Sequence, residues 1–520
     1  MVQPSPQPGD LTLPLPESPG LRIYPCPVSL RLGVLVLLAV LAGALVPGIA
    51  SSEQTSASTR ADVATRTPIQ SPRPNILLIT SDDQSVQEMR WLPKTRALLG
   101  KHGVTFKDMV APHPNCCPSR AQVLTGQYAH NNGVLTNGAP NGGWARLDSA
   151  TALPVWMQAA GYQTGFVGKY LHGYDGSTGR EPGWNRWRPI VSKPLSRYYG
   201  ITQYDEDELR DLPPGDYHTH VVGRQTREML DDFASTGSPY FLWASYIAPH
   251  GSCSTSEEKN CSGPPESAPQ YASRFGTVKL PMRTKPSFNE KDLSDKAKRL
   301  RRKKVSLTEQ TRLYRARVRA LATLDDEVAE TVRHLERIGQ LDNTVVMFTS
   351  DNGYMFGEHR RKGKVLAYEE SIRVPLLVRG PGVPAGQVRK QTVAMIDLAP
   401  TFAALAGATP MVQDGSSLWR YATRNVRQAD RALLVQAGTD RVSPRWQFRG
   451  VRTARYTYVA WPNARDELYD RRNDPYQLHS QDRSRAYAAQ LRAAKRILKR
   501  LGSCRGASCR IAPSRTSALR

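Results

Sequence analysis

The chain has 520 residues, 39% of them hydrophobic, with 71 Lys and Arg against 46 Asp and Glu. This length excludes a single small core and points to one large α/β domain with a smaller companion, while the apolar content is ordinary for a soluble globular protein. The formal net charge of +25 favours an acidic partner, whether a sulfated or phosphorylated polymer, nucleic acid or an anionic surface.

Residues 32–50 are apolar, follow Arg22 and Arg31, and end with the small residues Gly48 and Ala50. This pattern reads as the core and cleavage site of a signal peptide over 1–50, with an uncleaved anchor as the alternative because the run is near spanning length. No second stretch is long enough to span a membrane. The mature chain is therefore expected to be secreted, with no stable membrane span. Residues 51–72, rich in Ser, Thr, Ala and Pro, read as a disordered linker.

The folded part is expected to begin at Arg73. Asn75–Thr80 is a continuous apolar run that suits a strand buried on both faces, and it ends in Ser81-Asp82-Asp83. Next comes Asn115-Cys116-Cys117-Pro118-Ser119-Arg120, where a cysteine precedes a Pro-initiated helix that Gly126 can stop. The unpaired amides of that first turn, with Arg120, form an anion site that would acidify a thiol. Further strands are expected at Thr164–Val167, Tyr240–Ile247, Val374–Val378 and Leu433–Val435. Residues 251–310 read as a surface excursion carrying the basic run Lys296–Lys304, most simply a solvated helix face but also suited to dock an anionic chain. Leu321, Leu324, Val328, Val332, Leu335 and Ile338 predict a helix stopped by Gly339, with Asp325, Asp326 and Glu327 on its solvated face.

That helix leads into Thr344–Thr349, a second buried strand, which ends in Ser350-Asp351-Asn352. If the two similar strand ends are neighbours, three carboxylates and an amide converge where α/β sheets gather ligands. Hard oxygen ligands of this kind suit Ca²⁺ or Mg²⁺. Beyond about 435, Arg452–Trp461 alternates like one strand of a half-exposed antiparallel sheet, and a basic helix is expected from Tyr487 to Leu501. The division expected is a catalytic domain at 73–435, an α+β subdomain at 436–509 and a disordered tail at 510–520. In an exported chain Cys253 with Cys261, and Cys504 with Cys509, read as local disulfides. Cys116 and Cys117 remain outside them.

The Cys116-Cys117-Pro118-Ser119-Arg120 segment with Leu124-Thr125-Gly126 resembles the signature of the sulfatase family. Other motifs recur in family order: Asp82-Asp83, Gly168-Lys169, Pro249-His250, Asp351-Asn352-Gly353, and Gly363-Lys364 ahead of Tyr368-Glu369. The resemblance spans about Arg73 to Gln481. Gly168–Leu171 and the Phe288–Lys296 run look closest to N-acetylglucosamine-6-sulfatase and its arylsulfatase-like relatives. The resemblance implies an alkaline-phosphatase-like α/β sandwich, with a large mixed, mostly parallel sheet flanked by helices and a small C-terminal α+β subdomain.

It also implies a sulfuric ester hydrolase acting on sulfated sugars, glycosaminoglycans or aryl sulfates. Cys116 would be oxidised to formylglycine (3-oxoalanine) by a formylglycine-generating enzyme. One hydroxyl of the hydrated aldehyde attacks sulfur and the alcohol leaves, and the second hydroxyl then expels sulfate and regenerates the aldehyde. By the same resemblance Asp82, Asp83, Asp351 and Asn352, with the modified Cys116, hold the metal, Ca²⁺ being favoured over Mg²⁺. Arg120 steadies the aldehyde and the carboxylates, Lys169 and Lys364 grip sulfate, and His250 is a general-acid candidate beside them. His172 stands three residues after the lysine rather than two, which leaves open whether it deprotonates the diol or only lies beside the substrate. His359 is a weaker candidate, and His218 and His220 read as structural. Two other functions fit part of the pattern: a phosphonate monoester or phosphodiester hydrolase of the same superfamily, and a non-catalytic binder of sulfated glycans. A sulfated small molecule or polyanionic glycan is the expected partner, and nucleic acid is not.

Overall fold

The computed structural model describes residues 73–511 other than 193, 254–262, 429 and 442–445, together with 517–519. The expected signal peptide and linker lie outside the described residues, as does Cys261 of the expected Cys253–Cys261 pair. Among the described residues no helix is long and apolar enough to cross a membrane.

Continuous apolar runs become the centre of an eight-stranded sheet. Its strands are β1 (Asn75–Ser81), β2 (Val104–Val110), β3 (Gln163–Gly168), β4 (Arg186–Pro189), β7 (Tyr240–Ser245), β8 (Thr344–Ser350), β11 (Arg373–Arg379) and β12 (Gln387–Ala394). The order across the sheet is β12-β2-β11-β8-β1-β7-β3-β4, and only β11 runs antiparallel to its neighbours. Side chains on a strand alternate between faces. Ile76, Leu78, Phe241, Trp243, Val345 and Met347 therefore enter one core, while Leu77, Ile79, Leu242, Val346 and Phe348 enter the other. Both faces are dry, which is why these runs lack polar alternation.

Four helices matter here: α1 (Cys116–Thr125), α2 (His218–Ser235), α3 (Leu307–Arg337) and α4 (Ala488–Leu501). The periodic run predicted from Leu321 is the second half of α3, which starts earlier because Ser306 accepts a hydrogen bond from Glu309 N at its side chain. The acidic stretch on α3 is not a solvated face. Asp325 accepts from the backbone amides of Lys94 at 3.0 Å and Thr95 at 2.7 Å, and Glu327 pairs with Arg227 at 2.8 Å and His220 at 2.7 Å. The basic run does not form a long helix either. Lys296 is buried against Glu290 at 3.3 Å, and residues 301–304 are exposed and irregular.

Two short pairs, β5 (Thr202–Asp205) with β6 (Glu208–Asp211) and β9 (Met355–Phe356) with β10 (Lys362–Gly363), decorate the main sheet. The C-terminal sheet is antiparallel, in the order β13 (Leu433–Gly438), β14 (Trp446–Arg452), β15 (Tyr456–Ala460) and β16 (Glu467–Asp470). The boundary expected after 435 thus falls inside β13. The single strand expected over 452–461 is instead two, because Thr453 Oγ1 accepts from the amides of Arg455 and Tyr456 and turns the chain. These strands are buried rather than half-exposed, since Tyr456, Tyr458 and Val459 share a core with Ala494, Ile497 and Leu501 of α4. Ile511 and Leu519, in the expected disordered tail, are buried in that same core. Arg452 joins the two parts, pairing with Asp108 of β2 at 2.5 Å and with Glu369 at 2.8 Å. Cys504 and Cys509 form a disulfide.

Candidate active site

The site grows from one register. Asn75–Ser81 pairs with Thr344–Ser350 residue for residue, ending at Ser81 opposite Ser350. Asp82-Asp83 and Asp351-Asn352 therefore leave the sheet side by side. Asp83 takes a left-handed backbone (φ 64°), its N–H donates to Asp351 Oδ1 at 3.1 Å, and Asn352 Nδ2 donates to Asp83 Oδ1 at 2.7 Å. Arg317 of α3 pins this turn from beneath. It donates to the Asp83 carbonyl at 2.7 Å and the Pro249 carbonyl at 3.0 Å, and is itself held by Glu88 at 2.8 Å.

α1 brings in Cys116. Asn115 is its N-cap and accepts from Cys116 N at 3.1 Å, so Cys116 is the first helical residue rather than the one before the helix. Every residue of α1 is buried, and Gly126 ends it at φ 68°. Arg120 points back beneath the site: Nε donates to Asp351 at 3.1 Å, Nη2 to Asp82 at 3.2 Å, and Nη1 to Ser245 Oγ at 2.5 Å and the Lys169 carbonyl at 2.6 Å. Gly168, at the end of β3, makes the tight approach that aims Lys169. Its φ is 102°, and a Cβ there would lie 2.0 Å from the Ser245 carbonyl oxygen.

Lys169 Nζ lies 2.5 Å from Asp82 Oδ2 and 3.6 Å from Cys116 Sγ. Lys364, just beyond β10, reaches Cys116 Sγ at 2.8 Å and also pairs with Asp83. His250 Nε2 is 3.6 Å from Asp83 Oδ2, and its Nδ1 is 2.8 Å from the Gly251 carbonyl. A carbonyl can only accept, so Nδ1 carries the proton and Nε2 presents a lone pair in the neutral ring.

Burial dominates the electrostatics. It pushes the Cys116 thiol well above its ordinary range, with Asp82 adding to the shift and Lys169 and Lys364 opposing it. The helix start therefore does not yield the acidic thiol expected of such a position. Burial also works against the Asp82 carboxylate, but Lys169, His250, Arg120 and Lys364 overcome it and hold the group well below its ordinary value. Lys364 is raised well above its own because Asp83, Cys116 and Asp82 outweigh its burial. Burial and then Lys169 lower His250 to about 4, which leaves it neutral at pH 7.

The donor set, two carboxylates with a thiol and an imidazole nitrogen, is of the kind that holds a divalent cation. Ligand atoms of Asp82, Asp83, Cys116 and His250 all lie within 4.8 Å of one another. Asn352 Oδ1 is buried with no hydrogen-bond partner among the described residues, an orphan acceptor that a cation would satisfy. His250 joins this group although its motif was read for acid catalysis, while both oxygens of Asp351 already accept from Arg120, Asp83 and Asn352.

Two expected residues have partners outside this group. His172 faces Cys117, with Nδ1 at 3.2 Å and its backbone N at 3.0 Å from that sulfur. His359 pairs with Glu290 at 2.7 Å and stacks on Tyr368. His220 is taken by Glu327, and His218 is buried. Sequence reasoning missed Arg317, Glu88 and Ser245, which act on carbonyls or on other buried groups and carry no local motif.

The family profile described as Sulfatase matches residues 74–408, and one described as N-sulphoglucosamine sulphohydrolase, C-terminal, matches 357–503. The chain is 36% identical over 358 residues to N-acetylglucosamine-6-sulfatase of Capra hircus, covering 65% of this chain and 61% of that protein. It is 30% identical over 499 residues to an arylsulfatase of Volvox carteri, covering 84% and 76%. With a putative extracellular sulfatase Sulf-1 homolog of Caenorhabditis elegans it shares 33% identity over 360 residues, covering 66% of this chain and 48% of the relative. The chain thus spans under two thirds of the goat and nematode proteins. Among solved structures, BT4656 in complex with its substrate D-glucosamine-2-N,6-O-disulfate superposes with a TM-score of 0.68 at 21% identity, covering 82% of this chain and 97% of that one. A phosphonate monoester hydrolase of Agrobacterium radiobacter has the same fold at a TM-score of 0.60 and 21% identity, covering 83% and 96%.

Proposed function

Because the chain belongs to the sulfatase family, we propose that it is a sulfuric ester hydrolase whose nucleophile is made from Cys116. The observation that carries this reading is the position of Cys116 Sγ, 2.8 Å from Lys364 Nζ, 3.6 Å from Lys169 Nζ and 3.5 Å from Asp82 Oδ1. A raised thiol pKa argues against the unmodified cysteine as the working nucleophile. Oxidised to formylglycine by a formylglycine-generating enzyme, the same side chain supplies an aldehyde hydrate able to attack sulfur. A divalent cation, Ca²⁺ before Mg²⁺, held by Asp82, Asp83, Asp351 and Asn352 with the modified Cys116, would supply charge neutralisation at the sulfate.

The chain's own groups then divide the work. Lys169 and Lys364 stay protonated and bind the sulfuryl oxygens as negative charge develops on them. Arg120 keeps the Asp82 and Asp351 carboxylates in place and takes no proton. His250 enters the cycle neutral. An anionic ester beside Nε2 offsets the repulsion from Lys169, so that Nε2 takes up a proton from solvent as the ester binds and passes it to the leaving oxygen. The remaining lines of support are coarser. The charge of +25 and the relatives named as N-acetylglucosamine-6-sulfatase favour a sulfated glycan over a small aryl sulfate. The apolar run at 32–50 and the relatives named as extracellular sulfatases favour secretion.

The test is mass analysis of the Cys116 peptide after co-expression with a formylglycine-generating enzyme, alongside kcat/KM on 4-nitrophenyl sulfate and bis(4-nitrophenyl) phosphate. Conversion to the aldehyde with faster sulfate turnover is expected. Faster diester turnover assigns the site to phosphonate and phosphate ester hydrolysis, and an unconverted thiol reduces the protein to a glycan binder.

A further inference from the structure

The basic excursion forms one surface with the hairpin that carries Lys364. Asn289 closes a loop onto Val305: its Nδ2 donates to the Val305 carbonyl at 3.0 Å, and its Oδ1 accepts from Val305 N at 2.8 Å. Arg301 folds back inside the loop onto the carbonyls of Ser294 at 2.7 Å and Lys296 at 3.1 Å. Lys296 itself is buried, held by Glu290, the Tyr469 hydroxyl and the Gln477 carbonyl. The base of the loop is thus fixed, while Arg302, Lys303 and Lys304 stand exposed on an irregular stretch.

Arg360 stitches this loop to the β9–β10 hairpin. Its guanidinium donates to the carbonyls of Glu290 at 2.8 Å, Lys291 at 2.8 Å and Arg302 at 3.3 Å. These acceptors are neutral, so the stitch adds a positive charge without cancelling one. Among the described residues Arg302, Lys303, Lys304 and Arg361 have no salt-bridge partner. Arg361 loses proton affinity to burial and then to the neighbouring Arg302 charge. At Lys362 burial acts in the same direction, and Glu309, the acidic side chain facing it, is opposed by Arg312 and Arg317. Like charges are therefore held together by backbone hydrogen bonds, at a cost that a bound polyanion would relieve. The strip ends at the chemistry, since Gly363 alone separates Lys362 from Lys364.

We propose that Arg302, Lys303 and Lys304, continued by Arg360, Arg361 and Lys362, form a docking track for a sulfated glycan chain and lead it to Lys364. The proposal rests on the sulfatase reading for the identity of the occupant, and on geometry and charge for the surface itself. A chain bound along the track would present one sulfate ester at a time to the pocket while its neighbours stay paired with the strip.

The test compares the full chain carrying Arg302→Ser, Lys303→Ser and Lys304→Ser with a charge-matched control on α4, Arg496→Ser, Lys499→Ser and Arg500→Ser. Both triples are read by salt elution from immobilised heparin and by kcat/KM on heparin and on 4-nitrophenyl sulfate. The track variant should elute at lower salt than the control and lose about tenfold on heparin, with the aryl ester unchanged. Equal elution of the two triples, or equal losses on both substrates, would overturn the track. A shift as large on immobilised DNA would overturn the glycan as its occupant. If the wild type hydrolyses neither ester, the sulfatase reading fails, yet the elution order still decides whether the surface docks polyanions.

Discussion

Lys364 Nζ stands 2.8 Å from Cys116 Sγ, and the same ammonium pairs with Asp83. One cation therefore touches both the proposed nucleophile position and a carboxylate of the candidate metal group. Its charge is largely withdrawn from water and held by Asp83, so it acts in a medium where electrostatic stabilisation is strong. Lys364→Ala should lower kcat/KM on an aryl sulfate by about 10²–10³-fold. A melting curve with a sharp cooperative transition would show that the loss is catalytic, and an unchanged kcat/KM would remove Lys364 from the mechanism.

The orphan oxygen of Asn352 makes a prediction about metal. A cation that binds only the folded state stabilises it, by about 2.7 kcal/mol at a hundredfold excess over Kd. Exhaustive chelation should lower both the thermal midpoint and the turnover, and Ca²⁺ should restore both. In Asn352→Leu the orphan acceptor is gone, so the stabilisation by Ca²⁺ should shrink. Calorimetry with and without the ion measures it, and an identical response in the variant would exclude Asn352 as a ligand.

How much of this was legible depended on where the chemistry sits. The strand ends were readable because Asn75–Thr80 and Thr344–Thr349 are dry runs with the same polar ending, and the sheet pairs them in register to Ser81 and Ser350. Lys169, His250 and Lys364 were readable only through the family resemblance, since each alone looks like an ordinary surface residue. Arg317 was invisible because it lies among other charges on a helix and acts on two backbone carbonyls. Asp325 and Glu327 were misread because helical period locates a face without saying that Lys94, Arg227 and His220 cover it. The alternation over 452–461 concealed a turn whose only sign was Thr453.

Arg317 and Glu88 form a buried pair, with the arginine at 1% and the glutamate at 0% exposure. Removing one partner of such a pair strands the other charge, at about 3–5 kcal/mol. Arg317→Met should therefore lower stability by about that amount and free the left-handed Asp83 turn. Denaturant titration measures the first effect, and a weakened response to Ca²⁺ measures the second. Glu88→Gln keeps a hydrogen-bond acceptor but strands the Arg317 charge, so it should cost a comparable amount. A near-neutral Glu88→Gln would mean that charge pairing is not what holds the turn.

Acidification should destabilise the protein through its buried histidines, in a window above the ordinary carboxylate range. Burial lowers His113, His218 and His359 to about 3. Burial, with Lys169, lowers His250 to about 4. Unfolded histidines titrate near 6.5, so between that pH and about 4 the unfolded chain binds more protons than the native one. Stability is then fully present above pH 6.5 and lost as pH falls through this window. Glu290 has the opposite sign. Burial raises it to about 7, so its contribution is present at low pH and lost as pH rises through that value. Glu290 therefore offsets part of the loss that these histidines bring on acidification. His218 is the cleanest probe, because neither ring nitrogen has a hydrogen-bond partner among the described residues. His218→Leu should gain about 1–3 kcal/mol by removing an unsatisfied buried polar group. It should also flatten the slope of stability between pH 4 and 6.5. Denaturant midpoints measured across that range check both, and an unchanged slope would mean that His218 is already protonated in the folded state.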